Sequence, residues 1–317
     1  MQIRPFQPGD YPALVDIHNS RGIVWPEWPR SAAAWAALDA ARSPKSLHAR
    51  WMAEEAGRPV GFAACLRGPA AFPPLSFQID IQVHPLFQRR GIGSALYEQL
   101  VLWLQAYAPP ALRADAFTNL PQGFPFLEKR GFFEAFRETP VHLDVAAFDP
   151  RPYAALEPAL EGDGIVIRSL PELAGDPGRD RKLYDLYWEA SEDMPHEGGP
   201  RERPDFSAWL SWGLNDACIL QEAYFVAVRG EEYVGLRELY TYTDGGALLG
   251  SLLGVRREYR RRGIGLALQL RGIAYARQKG YRLLKTCTAL QNDRMQALFD
   301  KLGFARDPQW LQCQKDL

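Results

Sequence analysis

Phe77-Gln78-Ile79-Asp80-Ile81-Gln82-Val83 alternates apolar and polar positions without a break, which predicts a strand with one face in a core. A turn rich in arginine and glycine begins shortly after it. Beyond the turn, Leu96, Leu100, Trp103 and Leu104 recur at helical spacing, so a helix follows, with Pro109-Pro110 to end it. The same order returns later in the chain. Leu249, Ser251, Leu253 and Val255 alternate with Leu248, Gly250, Leu252 and Gly254, which predicts a strand whose second face carries two glycines for close backbone approach. Leu268, Gly272, Tyr275 and Ala276 then form a helical stripe capped by Gly280. Leu283, Leu284 and Cys287 read as a further strand, and residues 295–302 as a helix ended by Gly303.

The recurrence extends to identical motifs. Gln88-Arg89-Arg90-Gly91-Ile92-Gly93 returns as Arg260-Arg261-Arg262-Gly263-Ile264-Gly265, and Gly131-Phe132 returns as Gly303-Phe304, both at an offset of 172 residues. Two motifs holding one offset imply a duplicated domain. Ile3-Arg4-Pro5-Phe6 and Ile165-Val166-Ile167-Arg168 read as equivalent domain starts, and Pro150, Pro152 and Pro158 mark a linker between them. The expected organisation is a first domain over 1–149, a linker over 150–163 and a second domain over 164–317, each α/β with a mixed central sheet flanked by helices.

Composition narrows the function. A length of 317 residues suits two domains, and 47% hydrophobic residues with a net charge of −1 describe a soluble globular chain rather than a general nucleic-acid binder. Cys65, Cys218, Cys287 and Cys313 have neither metal-ligand spacing nor the density of a disulfide scaffold, so no metal is expected and a reducing cytoplasm is the simplest setting. The opening residues, Met1-Gln2-Ile3-Arg4-Pro5, lead into mixed polar sequence without a membrane-spanning or signal-like stretch.

Glycines at the start of a helix let its unpaired amides and the positive end of its dipole approach an anion closely. One isolated G-x-G is more often a tight structural turn; two copies, each between a strand and a helix and flanked by arginines, favour pyrophosphate. Leu96 and Leu268 stand where a dinucleotide fingerprint has its third glycine, and no Walker motif occurs. Arg256, Arg257, Arg260, Arg261 and Arg262 suit a polyphosphate ligand, although a solvated surface run gives the same pattern.

These residues resemble the GNAT superfamily of acyl-CoA-dependent N-acyltransferases, whose signature is [QR]-x-x-G-x-[GA] between a strand and a helix. The resemblance covers both halves, including their closing runs Phe126-Leu127-Glu128-Lys129-Arg130-Gly131-Phe132 and Leu298-Phe299-Asp300-Lys301-Leu302-Gly303-Phe304. It implies that Gln88, Arg89, Arg90, Gly91, Ile92, Gly93 and Ser94, and likewise Arg260, Arg261, Arg262, Gly263, Ile264, Gly265 and Leu266, cradle the pyrophosphate of coenzyme A. By the same resemblance, the backbone at Val83, Leu253 and Val255 faces the pantetheine arm. Asn292 fits the family's pantetheine-contacting asparagine or an ordinary helix N-cap; Leu120 takes its place in the first half.

The resemblance implies acetyl transfer from acetyl-CoA to a primary amine in a ternary complex, with a small molecule or peptide as acceptor. The family's usual acid, a tyrosine, is replaced by Leu127 and Phe299, and its usual base position by Phe77 and Leu249. Glu238 is the expected base, with Asp80 a weaker candidate and Tyr240 a substitute acid; the bland alternative for Glu238 is a salt bridge to Arg237. His84, at the strand end, is not assigned as a base. Trp25 and Trp28 in one half, and Glu192 and Asp193 in the other, are candidate acceptor contacts, the acidic pair favouring a cationic amine. The second half is expected to carry the chemistry. The rival expectation is a catalytically silent acyl-CoA-binding or regulatory module.

Overall fold

The computed structural model describes residues 1–22, 31–67, 75–195, 203–241 and 247–317. In chain order the first elements are β1 (Gln2–Pro5), α1 (Tyr11–Asn19), α2 (Ala32–Ala40), β2 (Leu47–Glu55), β3 (Arg58–Arg67), β4 (Phe77–Val83), α3 (Ile92–Leu104), β5 (Ala111–Phe117), α4 (Gly123–Glu128) and β6 (Phe133–Asp144). There follow α5 (Leu156–Gly162), β7 (Ile165–Ser169), α6 (Arg179–Ser191), α7 (Phe206–Gly213), β8 (Phe225–Arg229), β9 (Glu232–Tyr240), β10 (Ala247–Val255), α8 (Ile264–Gln278), β11 (Leu283–Ala289), α9 (Asp293–Leu302), β12 (Ala305–Arg306) and β13 (Trp310–Asp316). The predicted strand at 77–83 is β4, and the second strand–turn–helix is β10 and α8.

The chain divides into unit 1, Met1–Arg137 with Gln309–Leu317, and unit 2, Glu138–Pro308. Unit 1 orders its strands β1-β2-β3-β4-β5-β13, antiparallel except for β4 with β5. Unit 2 orders its strands β7-β8-β9-β10-β11-β6, antiparallel except for β10 with β11. Each unit therefore has one sheet order with its parallel pair in the same place. Its last strand comes from outside the 1–149 and 164–317 halves read from sequence: β13 closes unit 1 and β6 precedes β7. Alternating strands bury one face in either sheet equally well, so their pattern carries no address. The stretch read as a linker, 150–163, holds α5, whose Leu160 is 3% exposed and sits in a unit 2 core.

Amphipathic helices cover both faces of each sheet. In unit 1, Ile92, Leu96, Leu100 and Leu104 of α3 pack on Phe77 and Ile79, while Leu14 and Ile17 of α1 pack on Met52 and Phe62. In unit 2, Ile264, Ala267, Leu268 and Ala276 of α8 join Val234, Leu239 and Leu248 on one face. On the other, Leu183 and Leu186 of α6 and Trp209 of α7 join Val226, Leu236 and Leu252. Burying each such leucine contributes about 1.5–3 kcal/mol, so the α8 and α3 stripes fix the helices that follow the turns. Helix α3 stops at Leu104, short of Pro109-Pro110, because Tyr107 folds back on Trp103 and Phe77, and Ala108 leaves helical geometry at φ 39°.

Candidate functional site

Both arginine–glycine turns have one backbone. Arg89 and Gly91 are left-handed at φ 63° and 81°, and Arg261 and Gly263 at 62° and 87°, after which α3 and α8 begin. Alternating left-handed residues before a helix curl the chain so that successive N–H groups converge, a concavity for anions. A Cβ on Gly265 meets only the Val255 side chain at 3.7 Å and one on Gly91 meets nothing within 4 Å, whereas one on Gly93 would lie 3.3 Å from the Phe126 ring and one on Gly263 2.8 Å from Leu156 Cδ1, so each turn is open at one glycine and closely packed at the other. The donor set fits a pyrophosphate.

The first residue of each signature makes a contact of its own within the turn. Gln88 Nε2 donates to the carbonyl of Val83 at 3.0 Å, and Arg260 Nε donates to the carbonyl of Val255 at 2.8 Å. These side chains tie the turn to the end of the preceding strand. His84 likewise has a structural task, its Nδ1 accepting the Leu86 N–H at the start of a 3-10 turn.

Most of the second arginine run is paired within unit 2. Arg256 meets Glu232 at 2.9 Å, and Arg257 and Arg260 both hold Asp193, at 2.7 and 2.6 Å; Glu192 lies 3.6 Å from Arg257. Hydrogen bonds from Arg257 and then Arg260 hold Asp193 well below the usual carboxylate range. The acidic segment expected to face a cationic acceptor therefore has its charge compensated beside the turn. Arg262 lies over the Tyr259 ring at 5.4 Å. In unit 1, Arg89 reaches Gln122, Arg90 reaches Glu55, and Ser94 accepts a hydrogen bond from Arg130 at 2.8 Å.

Next to each turn the parallel strand pair separates. β10 pairs with β11 from Ala247 opposite Leu283 to Gly250 opposite Thr286, and β4 with β5 from Phe77 opposite Leu112 to Ile79 opposite Ala114. Beyond these points the two strands leave a fork. In unit 2 the β9–β10 register shifts between Gly250 and Leu253, so Ser251 and Leu252 together face Glu238, a β-bulge. Glu238 is 5% exposed, with Ser251 and Leu252 as its facing residues. Burial pushes its pKa up, against the Ser251 side chain, the Leu252 backbone and the charge of Arg237, which favour the carboxylate. The Tyr224 hydroxyl, buried nearby without a hydrogen-bond partner among the described residues, feels the Glu238 charge.

Unit 1 has no such bulge. β3 and β4 stay in register from Gly61 opposite Val83 to Leu66 opposite Gln78, and Ala64 stands opposite Asp80. Asp80 accepts from Gln82 Nε2 at 2.6 Å, and burial raises its pKa. Asp115, the first β5 residue past the last paired alanine, is pushed up to about 6 by desolvation, although its edge reaches solvent. Thus each fork has carboxylates, with different partners.

The remaining expected positions are as follows. Asn292 Oδ1 accepts the Met295 N–H at 3.3 Å, which makes it the N-cap of α9. Tyr240 is half-buried at the end of β9 and pairs with Leu249. Leu127 and Phe299 are buried, 6% and 2% exposed, as core members. Trp25 and Trp28 lie outside the described residues. Sequence reading gave Tyr224 and Asp115 no role, Arg237 only that of a salt-bridge partner for Glu238 and Ser251 only a place in the strand. The bulge that gathers three of them has no sequence mark beyond Gly250. Among the described residues no three His, Cys, Asp or Glu are grouped to hold a metal, and no helix is long and apolar enough to cross a membrane.

The sequence profile of the Acetyltransferase (GNAT) family matches residues 13–132 and again 181–304. A mycothiol acetyltransferase from Thermobispora bispora is 25% identical over 249 residues, 72% of each chain. A GCN5-related N-acetyltransferase from Sphaerobacter thermophilus superposes with a TM-score of 0.72 at 19% identity, over 99% of this chain and 95% of that one. A tandem GNAT protein from the clavulanic acid biosynthesis pathway gives 0.71 at 19% identity, over 99% and 98%. At those identities the two structures share the fold.

Proposed function

Because this chain belongs to the GNAT acetyltransferase family through both of its halves, we propose that it is an acyl-CoA-dependent N-acyltransferase whose reaction takes place at the fork of unit 2. The observation that carries this reading is Glu238. It is a buried carboxylate with a raised pKa, held at a strand bulge beside the fork that leads from the pyrophosphate turn. Unit 1 has the turn and the fork, but Ala64 opposite its uninterrupted β4.

Gly263, Ile264, Gly265 and Leu266 offer the first-turn amides to the pyrophosphate, with Arg261 and Arg262 flanking them. The β10 edge at Leu253 and Val255 runs from that turn to the bulge, along the line of the pantetheine arm. When bound, the coenzyme supplies a thioester carbonyl for attack, acetyl being the simplest acyl group. Glu238 takes the proton of a primary ammonium, directly or through a water, so that the neutral amine attacks. Its raised pKa suits that task at neutral pH better than an ordinary glutamate would. Asn292 fixes the start of α9, and Tyr240 lies on the same strand two residues beyond the base. The acceptor is a small molecule or peptide carrying a primary amine, and the setting is a cytoplasm.

Two measurements test this reading. Acceptor-dependent thiol release from a series of short acyl-CoA donors, acetyl-CoA among them, with a panel of amines separates an enzyme from a binding module, which would bind coenzyme A without release. Coenzyme stoichiometry by calorimetry, repeated with Gly91→Glu and Gly263→Glu, assigns the occupied turns; binding that survives Gly263→Glu unchanged would remove unit 2 from the reaction.

A further inference from the structure

Arg237 is 1% exposed. On its face of β9 it lies between Gly235, whose missing Cβ would meet Ile264 and Leu268 of α8, and Leu239, which touches Gly272 of the same helix. Its side chain therefore enters the layer between β9 and α8. There it bends over β10, where a Cβ on Gly250 would lie 1.9 Å from Nη2 and 2.6 Å from Cζ. Gly250 is the last β10 residue paired at the fork, so the guanidinium sits against the fork itself. Nη1 donates to the carbonyl of Ser251, in the bulge, at 3.0 Å.

Nε and Nη2 have no hydrogen-bond partner among the described residues. These two nitrogens form one flat edge of the guanidinium, the edge that grips a carboxylate with two parallel hydrogen bonds. Across the same layer, Gln269 of α8 is 0% exposed and both of its amide atoms are unpartnered. A buried cation without a hydrogen-bonded anion is destabilising by several kcal/mol, and an unsatisfied buried amide adds to that. Burial lowers the Arg237 pKa to about 10, so it remains a cation at neutral pH. Glu238, its neighbour in sequence, points to the opposite face of the strand, where Ser251 and Leu252 favour its charged form.

We propose that Arg237 selects the acyl group, and that the preferred donor of unit 2 is a short acyl-CoA whose chain ends in a carboxylate, of malonyl or succinyl length, with that carboxylate on the Nε–Nη2 edge. The assignment rests on the coenzyme reading of the unit 2 turn and replaces acetyl by a dicarboxylic acyl group. In the transfer the amine nitrogen forms a bond to the thioester carbon, the carbon–sulfur bond breaks, and coenzyme A leaves as its thiol. The ammonium proton passes to Glu238, and the terminal carboxylate is unchanged. A cationic amine thereby becomes an amide bearing a negative charge. An acetyl or propionyl group leaves the guanidinium edge empty, the situation in which sites built for a polar group discriminate most strongly.

The test uses the full chain carrying Gly91→Glu, so that calorimetry reads unit 2, with coenzyme A, propionyl-CoA, malonyl-CoA and succinyl-CoA as probes. Malonyl- or succinyl-CoA is expected to bind at least about tenfold more tightly than propionyl-CoA, in keeping with one charge-assisted bidentate pair. Adding Arg237→Met should erase that preference and leave the affinity for coenzyme A itself unchanged; Arg237→Lys should retain part of it. Equal affinity for propionyl-CoA and both dicarboxylic donors overturns the proposal, and so does a preference that survives Arg237→Met. Should Arg237→Met fail to fold, the ranking of the four probes on the Gly91→Glu chain decides alone. If that chain binds none of them, the coenzyme reading of unit 2 fails first, and the donor assignment falls with it.

Discussion

Glu238 and Ser251 face each other where β9 and β10 lose register, and the Ser251 side chain favours the charged form of the buried carboxylate. The bulge gives Glu238 two facing residues where a regular ladder would give one. The second is Leu252, and among the described residues the carboxylate has no direct ion pair. This holds Glu238 at the fork. Glu238→Gln preserves shape and hydrogen-bonding capacity but cannot take a proton. Turnover should fall by about 10²-fold or more while coenzyme affinity stays within twofold, read by thiol release and calorimetry. Unchanged turnover would remove Glu238 from the mechanism.

The same residue ties stability to pH. Its folded pKa is raised above the unfolded value of an ordinary glutamate, chiefly by desolvation. The native state therefore binds this proton more tightly. Its contribution to stability is complete below the ordinary glutamate pKa and is lost as pH rises through the folded one. Glu238→Gln should accordingly melt at a higher temperature than the parent at pH 8, with the gain shrinking toward pH 4. A gain that grows on acidification would show the sign to be wrong.

Gly91 and Gly263 are equivalent in conformation but not in surroundings. Both are left-handed, so alanine at either costs about 1–2 kcal/mol of backbone strain. At Gly263 the added Cβ would also come within 2.8 Å of Leu156 Cδ1, whereas at Gly91 it meets nothing within 4 Å. Gly263→Ala should thus be the more destabilising change, measured by denaturant midpoints of the two variants. Equal losses would show that Leu156 moves aside freely.

The duplication, the α/β class and both strand–turn–helix passages were legible because they depend on local periodicity and on glycines that the backbone requires. Gly280 and Gly303 are left-handed as predicted, at φ 79° and 76°. The glycines of the second strand were read as room for close approach, and they are: Gly254 admits the Ala190 Cβ of α6, and Gly250 admits Arg237. What the pattern could not give is which partner approaches. The bulge depends on β9 and β10 together, and the membership of β6 and β13 depends on pairings far along the chain. Asp193 shows the same limit for charge: an acidic run in a loop does not disclose the arginines that fold brings to it.

That pairing leads to a prediction about coenzyme binding. Asp193 holds Arg257 and Arg260 at hydrogen-bond distance, and Arg260 in turn secures the end of β10 through Val255. An anion at the turn competes with Asp193 for the field of these two cations. Asp193→Asn removes the competitor and keeps a side chain of the same shape. If the acidic segment chiefly compensates the turn, coenzyme A should bind severalfold more tightly to this variant, with the gain fading as salt screens the arginines beyond about 0.15 M. If the segment instead recruits a cationic acceptor, coenzyme affinity will stay put and the KM for the amine will rise. Calorimetry with coenzyme A at two ionic strengths, set beside amine titrations of thiol release, distinguishes them, because the first reading moves only the donor and the second only the acceptor.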